Sequence, residues 1–355
     1  MGKNKSEKVA PPPLSAFKTA AAPPRTITKA ALIYNPVAGK KKGERWAKEI
    51  VAPMLEAANV ALTLLPTTHA GHAIELAAGC DLAGCDALLA LGGDGTLGDV
   101  ATGFLRRAAA AGGPRREDVD VALGFLPGGT GNTFCHDVHG GRIAGDSGVR
   151  RAVECVLAGH TRRIDVAKLA CAGPDGAPLE RASINIVTAG LGVDANAAAE
   201  RRRWMGPARY DASILLEVLK VGRRKPCPCA LEVDGERRDL DLFVLTIMNN
   251  KHSGVGLRIS PHAQLDDGKV DVMYTPGRIR SVFAALRLDG LIKAKGKHVL
   301  DEQVEYVQAA TTVKLESEAP VNIMCDGDIC GKSPFEVTVM PQALTLFTPR
   351  DPPGC

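Results

Sequence analysis

The segment Gly92-Gly93-Asp94-Gly95-Thr96 follows the apolar run Ala87-Leu88-Leu89-Ala90-Leu91 and precedes a helical pattern over residues 97–110. A short unbroken apolar run reads as a strand buried on both faces, and a glycine turn leading from it into a helix belongs to a βαβ unit of a parallel sheet. Working outward, two more such turns follow predicted strands. Asn35-Pro36-Val37-Ala38-Gly39-Lys40 comes after residues 30–34, and Pro127-Gly128-Gly129-Thr130-Gly131-Asn132 after residues 121–126. Residues 60–65 supply a further strand; helical patterns run from Gly43, where Pro53 is expected to end or kink the helix, and over 69–78. In a parallel sheet all three turns reach the carboxyl-terminal edge, where ligands of such folds bind. Glycine turns let main-chain N–H groups approach phosphate oxygens, and the helix after each turn adds a positive end. Three turns on one edge, one with an aspartate and two with a threonine, read as a nucleotide-phosphate site with a metal-binding acid.

From about Arg162 the texture changes to closely spaced strand patterns, over residues 163–169, 182–188, 230–233, 240–248, 270–274, 304–307, 312–315, 321–325, 335–339 and 344–347. The expected fold is therefore an α/β domain with a parallel sheet over residues 30–160, then a β-rich, β-sandwich domain over 161–348. Two helical patterns, 195–203 and 209–220, interrupt the strands, and residues 201–225 carry eight Lys/Arg against Asp211 and Glu217. That charge fits a solvated face or a contact with an anionic membrane. Gly327-Asp328-Ile329-Cys330-Gly331-Lys332-Ser333 imitates a P-loop but has three residues between its glycines where four are required, and it precedes a strand pattern.

Composition narrows the function classes. With 355 residues, 45% hydrophobic and 24% charged, the chain has the make-up of a folded protein with room for about two domains. The longest clean apolar runs, such as 242–248, are strand-sized, so no membrane-spanning helix is expected. Aromatic content of 4% argues against a surface that stacks single-stranded nucleic acid. Ten cysteines without a signal-peptide pattern, and with Cys227/Cys229 and Cys325/Cys330 lacking zinc-site spacing, read as reduced thiols in a cytoplasmic setting. Residues 1–45 hold ten Lys/Arg against two acids, so the net charge of +4 is a property of the tail and the rest is net negative. Residues 1–29 and 349–355 read as tails. The first begins Met1-Gly2-Lys3-Asn4-Lys5-Ser6, a pattern for N-myristoylation at Gly2 beside lysines that would supply a second membrane signal; a solubilising tail and a mitochondrial transit peptide are the competing readings.

These turns, in this order, resemble the catalytic domain of the diacylglycerol kinase and sphingosine kinase superfamily of lipid kinases. The resemblance continues through Asn185…Gly190-Leu191-Gly192-Val193-Asp194, Gly206-Pro207-Ala208-Arg209-Tyr210, the segment Pro261 to Asp271 containing Leu265-Asp266-Asp267-Gly268, and Asp326-Gly327-Asp328, covering residues 30–348. The Gly-Gly-Asp-Gly turn alone also fits NAD kinases and phosphofructokinases. The resemblance implies that ATP is held by Asn35, Gly39, Gly92, Gly93, Asp94, Gly95, Thr96, Gly128, Gly129, Thr130, Gly131 and Asn132, with Asp326 and Gly327 closing the site. Asp94 and Asp326 compete as the base for the lipid hydroxyl. Mg2+ would be met by Asp94, Asp165 and Asp328, and Asp267 and Asp271 match a segment that holds a structural cation in some bacterial relatives. Asp99 and Asp328 stand where the family usually carries Glu; each keeps the charge and shortens the reach by one methylene.

Asp194 occupies a position that faces the amino-alcohol head group in sphingosine kinases, and Arg209 lies in a segment of similar texture. A carboxylate there would pair with the ammonium of a long-chain base and adds nothing for neutral diacylglycerol; an N-cap of the following helix is the plain alternative. The expected partner is thus a lipid at a membrane surface, met by peripheral association, with a sphingoid base ahead of diacylglycerol. A homodimer is allowed for. A soluble-metabolite kinase of the NAD kinase type and a catalytically silent lipid- or nucleotide-binding protein are the readings from other classes.

Overall fold

In the computed structural model, which describes residues 23–110, 121–202, 208–220, 227–254, 257–277, 279 and 281–350, the architecture is organised by strand β3 (Ala87–Gly92), buried at every position. It pairs in parallel with β1 (Lys29–Tyr34) on one side and β4 (Ala122–Pro127) on the other, and β2 (Ala61–Pro66) lies beyond β1. Strands buried on both faces need helices on both, and the connections supply them. The first begins with a short turn, α1 (Ala38–Lys41), and runs through α2 (Gly43–Trp46), a π turn (Ala47–Val51) and α3 (Ala52–Ala57). Pro53 neither ends nor breaks it. It sits in the first turn of α3, directly after the wide π turn, where its missing N–H leaves no partner stranded.

The remaining helices of this half are α4 (His72–Gly79), α5 (Asp94–Ala110), α6 (Thr133–His139) and α7 (Gly145–Leu157). The strand-period reading passed over the last two. It also started α5 three residues late, because Asp94, Gly95 and Thr96 look like loop residues in isolation.

The second half contains β5 (Thr161–Ala172), β6 (Pro178–Ser183), β7 (Ile186–Gly190), β8 (Cys227–Val233), β9 (Glu236–Met248), β10 (Val270–Pro276), β11 (Glu305–Ala309), β12 (Thr312–Ser317), β13 (Asn322–Cys325) and β14 (Asp328–Phe347). Helices α8 (Leu191–Glu200), α9 (Ala208–Leu219) and α10 (Val282–Lys293) interrupt it. Antiparallel pairings run β9-β7-β13-β14-β12-β8 and back to β9, so the long strands β9 and β14 pass from one packed face to the other. Leu231, Leu245, Ile247, Val313, Leu315, Ile323 and Val337 fill the space between, giving the expected β-rich unit its own core. Two predicted strands differ in form. Residues 182–188 are two strands parted at Ile184-Asn185, and residues 335–339 and 344–347 belong to one strand with irregular register between Met340 and Leu344, next to Pro341.

The two halves share strands. Leu346 of β14 pairs in parallel with Leu123 of β4, and Ile164, Val166, Leu344, Leu346 and Phe347 are buried in the same core as Leu89 and Phe125. This joint sets the carboxyl edge of the parallel sheet against the turn between β13 and β14.

Candidate active site

The glycine turns after β3 and β4 touch through their backbones. Gly128 N–H donates to Gly92 O at 2.7 Å, and a Cβ on Gly129 would stand 2.6 Å from Gly93 Cα. No residue with a side chain fits where two main chains meet so closely, which is the physical reason for the paired Gly-Gly sequences. Asn132, left-handed at φ 50°, closes its turn by accepting from Gly129 N–H at 2.7 Å. After β1, Asn35 accepts from Val37 N–H at 3.1 Å through its side chain while its own N–H donates to Leu91 O at 3.0 Å. Gly39 packs against the Trp46 ring and Gly128 O, so the third turn joins the other two. Thr96 packs its side chain on Gly92, and Thr130 is exposed at the edge.

Asp94 is the first residue of α5, and its carboxylate accepts from the first two N–H groups of α6, Thr133 at 3.0 Å and Phe134 at 3.1 Å. This bond ties the turn after β3 to the turn after β4. Burial pushes the Asp94 carboxyl above the usual aspartate value despite those two amides, which pull it down. The Thr133 hydroxyl also acts on it, and since a carboxylate offers about four acceptor sites, capacity remains for a substrate hydroxyl or a metal ion.

The opposite wall comes from the turn between β13 and β14. Asp326, left-handed at φ 49°, places Oδ1 on Ser183 Oγ (2.7 Å), Asn185 N (3.1 Å) and Ile186 N (2.9 Å), and Oδ2 on Ile184 N (3.0 Å). It thereby takes the main-chain donors released where β6 and β7 part. Burial raises its carboxyl to about 6 against the pull of these donors. Oδ2 lies so close to α5 that a Cβ on Gly98 would come within 2.6 Å, and Asp328 Oδ2 stands at the same distance from the corresponding point on Gly95. Gly327, exposed at the tip, accepts from Asn196 of α8 at 2.9 Å.

Beside them Asp99 is paired with Arg181 of β6. Burial raises the Asp99 carboxyl, Arg181 opposes the shift, and Asp328 adds to it, so the Asp99 and Asp328 carboxylates sense each other electrostatically. Among the described residues no group of three or more His, Cys, Asp or Glu side chains is arranged to hold a metal ion alone. Asp99 with Asp328 does fit an ion that completes its shell with nucleotide phosphates and water, as Mg2+ commonly does.

The other aspartates assigned to metal lie elsewhere. Asp165 is wholly buried and accepts from Gly268 N–H and Gln342 N–H, each at 2.7 Å, fastening residues 265–269 to the irregular point in β14. Asp267 accepts from Lys269 N–H at 3.1 Å, and burial raises it to about 6. Asp271 accepts from the Tyr306 hydroxyl, and burial, opposed by that bond, raises it to about 7. Asp194 lies in the first turn of α8, whose N-cap is Gly190, so the capping alternative does not hold. Arg209 falls in α9 with its side chain outside the described residues, as do Gly206-Pro207 and the Gly2 myristoylation pattern.

Sequence reasoning passed over Arg181, for which nothing local marks a role, and the exposed pair Lys40 and Lys41. These lysines follow Gly39 in consecutive left-handed conformations, at φ 60° and 67°, beside the glycine turns. It also missed the clamp in which Asp137 of α6 accepts from Lys251 N–H (2.9 Å) and His252 N–H (3.0 Å) and pairs with the His252 ring, while Thr133 Oγ1 donates to Gly254 O at 3.1 Å. Lysines at a glycine turn were the available signal.

Comparison with known proteins adds lineage to this geometry. Residues 29–169 match the family "Diacylglycerol kinase catalytic domain", and residues 185–348 match "YegS C-terminal NAD kinase beta sandwich-like domain". A diacylglycerol kinase of Mycobacterium tuberculosis (strain CDC 1551 / Oshkosh) is 28% identical over 327 residues, covering 91% of this chain and 96% of that protein. Sphingosine kinase 2 of Arabidopsis thaliana is 31% identical over 199 residues, covering 55% of this chain and 38% of that protein. The crystal structure of a diacylglycerol kinase from Bacillus anthracis str. Sterne superimposes with a TM-score of 0.65 at 20% identity, over 92% of this chain and 99% of that one, which is a likeness of fold. With both halves matched in order around one shared cleft, the chain is a lipid kinase and belongs to the diacylglycerol kinase and sphingosine kinase superfamily.

Proposed function

We propose that the chain transfers the γ-phosphoryl group of ATP to the primary hydroxyl of a neutral diacylglycerol. The observation that carries this reading is the extent of the resemblance: the diacylglycerol kinase named above is matched along nearly its whole length, whereas the sphingosine kinase is matched over little more than a third. This reverses the order of substrates expected from the sequence. One observation keeps the sphingoid base as the second reading. Asp194, freed from a capping role, is two residues from Asn196, whose amide binds Gly327.

In this reading the glycine turns and the ends of α5 and α6 cradle the nucleotide phosphates, with Lys40 and Lys41 adding positive charge at the rim. Mg2+ bound with the phosphates would be held by Asp328 and Asp99 and would neutralise charge developing on the phosphoryl oxygens. Asp94 receives the hydroxyl proton: its raised pKa makes it a better base than an ordinary aspartate, and it has acceptor sites to spare. Asp326 has four donors already on its two oxygens, so we assign it to shaping the wall.

The test is transfer of label from γ-labelled ATP in Mg-containing buffer to diacylglycerol and to sphingosine in mixed micelles, beside Asp94→Asn. Asp94-dependent label in diacylglycerol supports the proposal. Label in sphingosine alone installs the second reading and makes Asp194 the next position to change.

A further inference from the structure

Among the side chains described on helix α9, Ser213 and Glu217, four residues apart on one face, are buried, while Leu215 and Leu219 on the far side and Leu216 on the flank are exposed, Leu219 by 55%. A helix that packs for stability alone buries its leucines and exposes its glutamate. The neighbouring helix α10, which packs against α9, turns Ala285 and Leu288 inward and leaves Phe283 84% exposed with Leu286 beside it on the outer face. Just beyond α10, Leu300 is 73% exposed at the end of a 3-10 turn, Lys297–Leu300. Among the described residues, six of the eight large hydrophobic side chains that stand exposed lie in this stretch. The other two, Val37 and Ile329, flank the cleft itself.

The charge interleaved with these side chains is mostly basic. Lys220 ends α9, Arg287 and Lys293 lie on α10, and Lys295 and Lys297 follow it; all five are exposed. Glu217, Asp289 and Asp301 offset three of them, pairing with Lys220, Lys293 and Arg287. In sequence, Arg201-Arg202-Arg203 and Arg223-Arg224-Lys225 bracket α9. Exposed large apolar side chains set among lysines and arginines are the composition of a helix that lies in the plane of an anionic lipid surface. A protein partner would gain from the leucines but has no need of the positive surplus that Lys295, Lys297 and the two flanking basic runs supply.

The position of the helices agrees with this. α9 packs on α8, and α8 holds Gly327 at the candidate site through Asn196. We infer that the outer faces of α9 and α10, led by Leu215, Leu219, Phe283 and Leu286, dock the enzyme on an anionic membrane. The docked helices stand one helix away from the turn that carries Asp326 and Asp328, so a lipid lifted at this face has a short path to the phosphates. The inference rests on the chain acting on a lipid, and it holds for either acceptor.

The test is co-sedimentation of the full chain with vesicles of phosphatidylcholine alone and of phosphatidylcholine mixed with phosphatidylglycerol. These vesicles contain no acceptor, so the result is independent of which lipid is phosphorylated. We expect binding to the anionic vesicles that weakens with added salt and falls at least about tenfold in Leu219→Asp/Phe283→Asp, since each buried apolar side chain alone is worth that much. Lys295→Glu/Lys297→Glu should reduce binding to anionic vesicles only. Unchanged melting and unchanged phosphorylation of an acceptor dispersed in detergent micelles would show that the variants are folded; if the aspartates disturb folding, Leu219→Ser/Phe283→Ser replaces them. Wild-type binding in the apolar variants would overturn the inference and move membrane contact to the basic tail or another face. Equal wild-type binding to both vesicle types would also overturn it, as would a wild-type dimer that the variants convert to monomer, which would assign the face to a second copy of the chain.

Discussion

Two regions of the molecule use one device, an aspartate whose oxygens take main-chain N–H groups from a distant loop. At the glycine-turn edge Asp94 accepts from Thr133 and Phe134; at the turn over residues 265–269 Asp165 accepts from Gly268 and Gln342. Burial raises the carboxyl of both. Their surroundings differ. Asp165 is wholly buried, with its own N–H on Leu265 O and its own carbonyl on the Asn249 amide, so no ligand reaches its carboxylate. Asp94 stands half-buried at the start of a long helix, among glycine backbones at the edge of a parallel sheet. A perturbed buried acid is therefore no evidence of a reaction centre by itself; what marks one is spare acceptor capacity where a ligand can reach it.

The comparison can be broken most sharply at the glycines. Gly129→Ala forces a methyl onto Gly93 Cα, and we expect kinase activity to fall below a hundredth of wild type; retained activity would mean that the two turns need not touch. Asp94→Asn should cost about 10²- to 10⁴-fold in kcat with the fold intact by circular dichroism. Asp165→Asn tests the other side. An amide there can satisfy only one of its two main-chain donors, so stability should fall by about 2 kcal/mol in urea unfolding, while ATP binding to the folded protein is unchanged. A loss of turnover without a loss of stability would place Asp165 with Asp94.

How much of this was legible beforehand follows from what each feature depends on. The three turns and the parallel sheet rest on local patterns, an apolar run ending in paired glycines, and these could be read directly. Asp326 could be named through its Asp-Gly-Asp setting, but its work could not, because its donors come from a break between β6 and β7 more than 140 residues earlier. The same applies to Arg181, whose partner Asp99 lies 82 residues away on α5. The exposed leucines of α9 lay within what reads in sequence only as an ambiguous basic stretch, since helical period alone does not tell which face is buried.

Smaller effects sharpen the contrast further. Asp271 has a carboxyl raised to about 7 in the folded state, so the folded protein holds a proton that the unfolded chain releases near pH 4. Wild type should therefore lose stability as pH rises from about 4 through about 7, and Asp271→Asn, which keeps an acceptor for Tyr306, should lose less, retaining only the losses from groups such as Asp267 and Asp326, both raised to about 6. Unfolding free energies for the pair in urea should coincide near pH 4 and favour the variant by roughly a few kcal/mol near pH 8. The smallest change is expected at Asp328→Glu, which restores the longer reach usual at this position. Its kcat should move by only a few fold, with the dependence on Mg2+ concentration as the more sensitive readout.

The parallel pairing of Leu346 with Leu123 has a consequence for biosynthesis. When the ribosome has delivered β4 and the helices that follow it, the sheet that carries the nucleotide turns still has an open edge, and the strand that closes it arrives only after the whole β-rich stretch from β5 to β13 has been translated. The amino-terminal half cannot finish on its own, so truncation a few residues into β14 should leave the glycine turns mounted on an incomplete sheet. Fusion or cleavage sites belong outside residues 29–347, and the two halves are poor candidates for separate expression.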